Sequence, residues 1–363
     1  MDLSLPENHP IQKINKKRRV LVLLCAFIGL NAIVFGAFYF SVKSQKVENN
    51  ADLYSNTKTQ ISQAPFAEMT IPYLRSRSYE SSLSQLNQAT ETSNYIGYLT
   101  SYQSDGFKVK GYLTIPKGVM PSGGWPAIVF VHGYIPPASY RTLENYATHV
   151  DFLAKNGFVV FKIDLRGHGQ SEGEPGGGYY SGDYIIDTLN AKAALESSDY
   201  VHPDRIGLWG HSMAGNVVSR AMAASPSEVK AIAIWSGAVY TYEDFSEFSI
   251  EDNSYQPPPS DSPARARRNE MFEIYGQFDP NSSFWKQVPM TNYLSDIKGA
   301  ISLNHARDDS VVDIVYSRNL AEILEKNSIR HELNEYAGGG HNITGSYFTQ
   351  AIQNTVDFFK REL

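Results

Sequence analysis

Gly207-Leu208-Trp209-Gly210-His211-Ser212-Met213-Ala214-Gly215 is the stretch on which the reading of this 363-residue chain turns. An apolar run, Ile206, Leu208 and Trp209, ends at Gly210, and a helical pattern of small residues begins behind Ser212. A strand that feeds a sharp turn, one serine at the turn and a helix just after it make the layout of a nucleophile elbow. Small residues flank the serine because the turn leaves no room for side chains. The helix N-terminus points free N–H groups to where an oxyanion could form. In the usual Gly-x-Ser-x-Gly pattern the last position is glycine; here it is Ala214, with Gly215 one residue later. An ordinary strand–turn–helix with a capping serine would look the same, so the rest of the chain has to decide.

A serine nucleophile needs a base, an acid that orients the base and an oxyanion hole. Behind an elbow the chain order is Ser, then Asp or Glu, then His. An apolar strand, Ala300 to Leu303, runs into Asn304-His305-Ala306-Arg307-Asp308-Asp309-Ser310-Val311. The acid belongs in the loop after such a strand, which makes Asp308 the first candidate and Asp309 its rival. Tyr336-Ala337-Gly338-Gly339-Gly340-His341-Asn342 then sets a histidine in a glycine-rich loop, between a short strand at 330–336 and the terminal helix. His341 is the candidate base.

Upstream, Ala127 to Val131 reads as a buried strand ending in His132-Gly133-Tyr134. The second oxyanion donor comes from the loop after that strand. Pro136 and Pro137 have no N–H to offer, which leaves the Tyr134 N–H beside that of Met213. His132 is read as a packed loop residue. The next strand, Phe158 to Ile163, leads into Asp164-Leu165-Arg166-Gly167-His168-Gly169-Gln170-Ser171, at the edge of the sheet where open α/β sheets bind ligands. Asp164 and Arg166 are expected to hold loop geometry.

With these motifs in view, the chain resembles an α/β-hydrolase of the prolyl-oligopeptidase-like (S9) or dienelactone-hydrolase-like group, from about Tyr95 to the C-terminus. Besides the segments above, the resemblance is carried by Ser101-Tyr102-Gln103-Ser104-Asp105-Gly106 and Gly111-Tyr112-Leu113-Thr114-Ile115-Pro116. It implies a mostly parallel eight-stranded sheet with helices on both faces, and it implies no cofactor. The chain departs from the family pattern at Ala214, at His305, where a glycine is usual three residues before the acid, and at Val312, where a proline is common.

The N-terminal region is of another kind. Val20 to Val42 is uncharged and almost wholly apolar, and about 20 apolar residues suffice to span a bilayer as a helix. Lys13, Lys16, Lys17, Arg18 and Arg19 precede it, while only Lys43 and Lys46 closely follow. The positive-inside rule puts residues 1–19 in the cytoplasm and everything after Val42 outside the membrane. A cleaved signal peptide is the alternative, but the run is long and ends in Phe38, Tyr39 and Phe40, not in small residues. The sole cysteine, Cys25, lies within this run, so the segment beyond it has no disulfide and no cysteine-based metal site. No His-Glu-x-x-His pattern occurs. Residues 1–46 hold seven Lys and Arg against two Asp and Glu, a balance of +5, which leaves −11 on the rest of a chain whose net charge is −6. That acidity argues against nucleic acid as a partner.

Residues 43–65 are polar and read as a stalk. In the lead-in that follows, Met69 to Leu74 could pack on the domain and Tyr79 to Leu86 could form a short helix. From Tyr95 on, strands alternate with helices expected at 143–155, 184–197, 213–224, 313–325 and 346–362, the pattern of a mainly parallel sheet. Residues 96–102 and 107–115 flank Ser104-Asp105-Gly106 as a hairpin. The aromatic, proline-rich stretch at about 240–293 breaks the alternation and reads as a small cap over the serine.

The whole describes a membrane-anchored serine hydrolase acting on a small-molecule ester or peptide, with Ser212, Asp308 and His341 as the catalytic set. Tyr134 and Met213 supply the oxyanion hole. An inert binding protein on the same fold would be expected to lack one of these residues; an acyltransferase would use the same serine.

Overall fold

Alternate residues of the strands face opposite sides of one sheet, and the chain uses both sides as core. In β4 (Trp125–Val131), Ala127, Val129 and Val131 enter one apolar cluster, while Ile128 and Phe130 enter the other. In β6 (Val201–His211), Ile206 and Leu208 pack on the first side and Trp209 on the second, where it stacks on Phe130 with ring centroids 3.9 Å apart. The computed structural model describes residues 64–279 and 281–363. The apolar run at 20–42 lies outside them. Among the described residues no helix is long and apolar enough to cross a membrane.

The sheet has nine strands in the order β1-β2-β3-β5-β4-β6-β7-β8-β9, one more than expected. Beyond β4 and β6, these are β1 (Asn87–Glu91), β2 (Tyr95–Ser104), β3 (Phe107–Pro116), β5 (Val159–Ile163), β7 (Ala231–Trp235), β8 (Ala300–Ala306) and β9 (His331–Tyr336). The hairpin of β2 and β3 turns at Asp105 and Gly106, both at positive φ. From β5 to β9 every ladder is parallel. The unexpected strand is β1, a largely exposed polar edge whose Asn-Gln-Ala-Thr-Glu sequence carries no strand alternation.

Helices cover both faces. α3 (Asp183–Glu196), α4 (Met213–Ala224) and α7 (Val315–Lys326) bury side chains in the first cluster; α2 (Ala147–Lys155) and α8 (Phe348–Glu362) bury theirs in the second. The lead-in holds its helix earlier than expected: α1 is Ile71–Ser76, capped by the Thr70 hydroxyl on the Tyr73 N–H. Residues 79–86 are not helical, because Ser81 and Ser84 hydrogen-bond along β2 instead. Met69, Ile71 and Leu74 are fully buried, and the Arg220 guanidinium of α4 donates to the Met69 carbonyl.

A chain beginning at Ala51 keeps these contacts. One beginning at Tyr95 gives up the three fully buried side chains, at about 2 kcal/mol each, and takes one acceptor from the buried Arg220 guanidinium. Thermal unfolding of the two should differ by well over 5 °C, by the usual scaling of about 2–4 °C per kcal/mol for a domain of this size.

Between β7 and β8 the insertion forms α5 (Tyr242–Glu247), α6 (Pro263–Tyr275) and short 3-10 turns. Its aromatic residues pack on one another: Tyr242 stacks on Phe278 at 4.3 Å, and Trp285 meets Phe278 edge-on at 4.9 Å.

Candidate active site

Ser212 sits between the end of β6 and the first residue of α4, at φ 55° and ψ −122°. Non-glycine residues rarely adopt that conformation, and it is held only where the surroundings enforce it. Here the Ser212 N–H donates to the Trp235 carbonyl, and the Gly215 N–H donates to the Ser212 carbonyl. The glycine requirement of the elbow has moved one residue along. Ala214 is wholly buried in the core, whereas a Cβ on Gly215 would lie 2.9 Å from the Gly237 Cα. Gly215→Val is thus expected to force the helix away from the β7 loop and to cost about 1–3 kcal/mol, read as a lower melting temperature; Ala214→Gly should cost less.

Ser212 and His341 line one cavity of about 530 Å³, together with Tyr134, His211, Asp252 and Val311. That is within the roughly 300–1,000 Å³ of small-molecule pockets. Asp252 belongs to the insertion, which also reaches the loop after β4. There the Tyr134 hydroxyl accepts from the Gln256 N–H at 2.9 Å, and the ring meets Tyr255 at 5.3 Å.

The acid partner differs from the expected one. His341 Nδ1 lies 2.9 Å from Asp309 Oδ2, and the Asp309 side chain is completely buried. Asp308 is exposed, and its carboxylate accepts instead from the N–H groups of Gly340, at 2.8 Å, and Gly339, at 3.3 Å. The cause lies in the turn after β8. The Asp309 N–H closes back on the Ala306 carbonyl, which directs Asp309 inward and Asp308 over the glycine loop. His305, one of the noted departures, completes the arrangement. Its Nε2 donates to Asp309 Oδ2 at 3.1 Å and to the Val312 carbonyl at 3.0 Å, and its Nδ1 meets the Ser317 hydroxyl at 2.8 Å. An imidazole at 305 reaches the acid four residues on, and so favours the 309 register.

Burial alone would raise the Asp309 carboxyl. The hydrogen bonds from His305 and His341 and from the Val311 and Val312 N–H groups outweigh it, and hold the group well below the usual carboxylate range. An ionised Asp309 keeps the His341 proton on Nδ1 and leaves Nε2 as the acceptor.

The other loops are tied by buried polar groups. His132 donates Nδ1–H to the Gly133 carbonyl and takes the Leu165 N–H on Nε2. Asp164 accepts from the hydroxyls of Tyr140 and Thr142, each at 2.6 Å. Arg166 grips Asp187 of α3 with two N–H groups, at 2.6 and 2.9 Å. Asp187 was not singled out in the sequence, because the same helix also carries Thr188, Asn190 and Lys192 and no pattern sets the aspartate apart.

Residues 126–251 match the family described as serine aminopeptidase S33, and residues 189–362 the C-terminal family of BAAT and acyl-CoA thioester hydrolases. Among solved structures, the acetyl xylan esterase from Paenibacillus sp. R4 aligns with a TM-score of 0.56 at 19% identity, over 81% of this chain and 92% of its own. Pyrococcus horikoshii acylaminoacyl peptidase aligns with a TM-score of 0.55 at 17% identity, over 75% of this chain and 42% of its own. The chain has the α/β-hydrolase fold. The resemblance expected from the motifs holds at the level of the fold. Among curated proteins, the thiohydrolase aneE of Aspergillus aculeatus is 32% identical over 111 residues, which are 31% of this chain and 32% of that relative. The chain thus spans about a third of the relative's length.

Proposed function

We propose that this hydrolase is membrane-anchored and cleaves an ester or a peptide/amide bond through an acyl-enzyme. One observation carries the reading: a serine on a strained elbow shares a cavity with a histidine whose far nitrogen is held by a buried, ionised aspartate. Ser212 Oγ attacks the carbonyl carbon as His341 Nε2 takes the hydroxyl proton. The carbonyl oxygen becomes an oxyanion, and the N–H groups of Tyr134 and Met213 receive it; neither has a hydrogen-bond partner among the described residues. Collapse expels the leaving group with the proton from His341. Water then repeats the sequence on the acyl-enzyme and frees Ser212. Asp309 stabilises the imidazolium at each half-reaction. No cofactor enters these steps.

The Ser212 hydroxyl makes no hydrogen bond to another described residue, and catalytic contacts of this kind commonly tighten only when substrate binds. The insertion serves as a cap that shapes the acyl or leaving-group side through Asp252 and Tyr255. Residues 20–42 anchor the chain, with the hydrolase domain outside the cytoplasm.

The test of the chemistry is a panel of p-nitrophenyl esters and aminoacyl-p-nitroanilides, together with labelling by a fluorophosphonate. Turnover and labelling that both depend on Ser212 are expected. A folded protein that neither reacts with the probe nor turns over any member of the panel would point to an inert binding protein instead. Protease protection of intact cells against spheroplasts checks the orientation.

A further inference from the structure

His211, the residue before Ser212, has no part in the chemistry above, yet both of its ring nitrogens are engaged. Nε2 lies 2.9 Å from the main-chain carbonyl of His341, and Nδ1 lies 2.8 Å from the Tyr146 hydroxyl. That hydroxyl also receives the Gly133 N–H at 3.1 Å. The direction of every bond follows from the chemistry of the groups. A carbonyl can only accept, so His211 carries its proton on Nε2. Burial, then the nearby His341 ring, push the His211 imidazole well below its ordinary range, and it stays neutral. Its Nδ1 is then a lone pair, and the Tyr146 O–H must donate to it. The oxygen of Tyr146 is left to accept the Gly133 N–H. No donor or acceptor in the chain is left over.

These bonds join three segments that the mechanism needs in register: the loop that offers the Tyr134 N–H, the elbow, and the loop that carries His341. We propose that Tyr146 and His211 form a positioning relay that fixes the His341 main chain against the elbow and the oxyanion loop. The proposal rests on the reading of Ser212 and His341 as nucleophile and base. Neither Tyr146 nor His211 touches the reacting atoms.

The need for such a relay lies in the His341 loop. Three consecutive glycines, Gly338 to Gly340, precede the base and give the backbone great freedom. Asp309 holds the ring of His341 and Asp308 holds two glycine N–H groups. His211 holds the carbonyl of His341 itself. Tyr146 is in turn fixed from behind, its ring edge-on to Phe130 at 5.4 Å and to Trp209 at 5.8 Å, with its backbone at φ 59°. A base displaced by about 1 Å can cost a factor near 10² in rate while leaving substrate binding intact.

The experiment uses Tyr146→Phe, which keeps the ring and removes the O–H, alongside His211→Gln and His211→Leu. Glutamine can both accept from Tyr146 and donate to the His341 carbonyl; leucine can do neither. Tyr146→Phe is expected to lower kcat about 10- to 100-fold with KM changed less than about twofold. His211→Gln should retain several-fold more kcat than His211→Leu at a similar melting temperature. In long-range ¹H–¹⁵N spectra of the ¹⁵N-histidine-labelled protein, His211 should be neutral and protonated at Nε2, and Tyr146→Phe should shift its Nδ1 resonance. A His211 protonated at Nδ1, a Tyr146→Phe enzyme with wild-type kcat, or a His211→Gln enzyme no better than His211→Leu would each overturn the relay. Failure of the underlying reading has a different signature: Ser212→Ala would turn over like wild type, whereas the His211 tautomer would be unaffected.

Discussion

Ser212→Ala is expected to lower kcat by about 10⁴ or more, the usual cost of removing an activated nucleophile, while the protein stays folded. The side chain can be spared because its hydroxyl makes no hydrogen bond to a described residue. The strained backbone is held by main-chain bonds, from the Ser212 N–H to the Trp235 carbonyl and from the Gly215 N–H to the Ser212 carbonyl. Alanine keeps both. It also removes no buried apolar surface, so the melting temperature should stay close to wild type. The residual rate reports what the oxyanion donors and the cavity supply alone. Fluorophosphonate labelling should vanish together with turnover. Near-normal hydrolysis by a folded Ser212→Ala protein would sink the acyl-enzyme route and place the chemistry elsewhere in the cavity.

Asp309→Asn should be nearly as severe, about 10³- to 10⁴-fold in kcat. An asparagine can present its amide N–H₂ to His341 Nδ1, which reverses the tautomer and puts a proton on the nitrogen that has to accept from Ser212. The charge that stabilises the imidazolium is lost with it. Asp309 also accepts the Val311 and Val312 N–H groups and the His305 imidazole. Some loss of stability is therefore expected, and kcat has to be referred to the folded fraction. Asp308→Asn is the control. Its Oδ1 can still accept from the Gly340 N–H, and His341 keeps its partner, so the loss should stay below about tenfold. If Asp308→Asn were crippling and Asp309→Asn mild, the hydrogen-bonded geometry would not be the working one, although a serine hydrolase with a different acid would survive.

Much of this protein is written in consecutive residues. The continuous apolar runs at 127–131 and 231–235 define strands buried on both faces. The small residues around Ser212 define the elbow, since only they leave room for its turn. Asp105 and Gly106 define the hairpin, because both turn positions take positive φ. The helices at 184–197 and 213–224 were legible to within a residue, from the length of the patterns and the positions of the loops. What escaped was whatever depends on a distant partner. The strand at 87–91 has no pattern of its own and exists because β2 offers it an edge. The lead-in forms its helix at 71–76, where its apolar residues meet α4, and runs extended at 79–86, where serines meet β2.

The sequence by itself therefore determined the mainly parallel sheet and the chain order of Ser212, the aspartate loop and His341, because each rests on local turn and periodicity. Only the tertiary structure set which of Asp308 and Asp309 meets the His341 ring. Adjacent residues on a loop point in different directions, and the choice depends on how the turn closes onto Ala306 and on a buried His305 that reaches the second aspartate and not the first. The tie between Tyr146, His211 and the His341 carbonyl was equally beyond the sequence, since its members lie 65 and 130 positions apart and meet only when the sheet has formed.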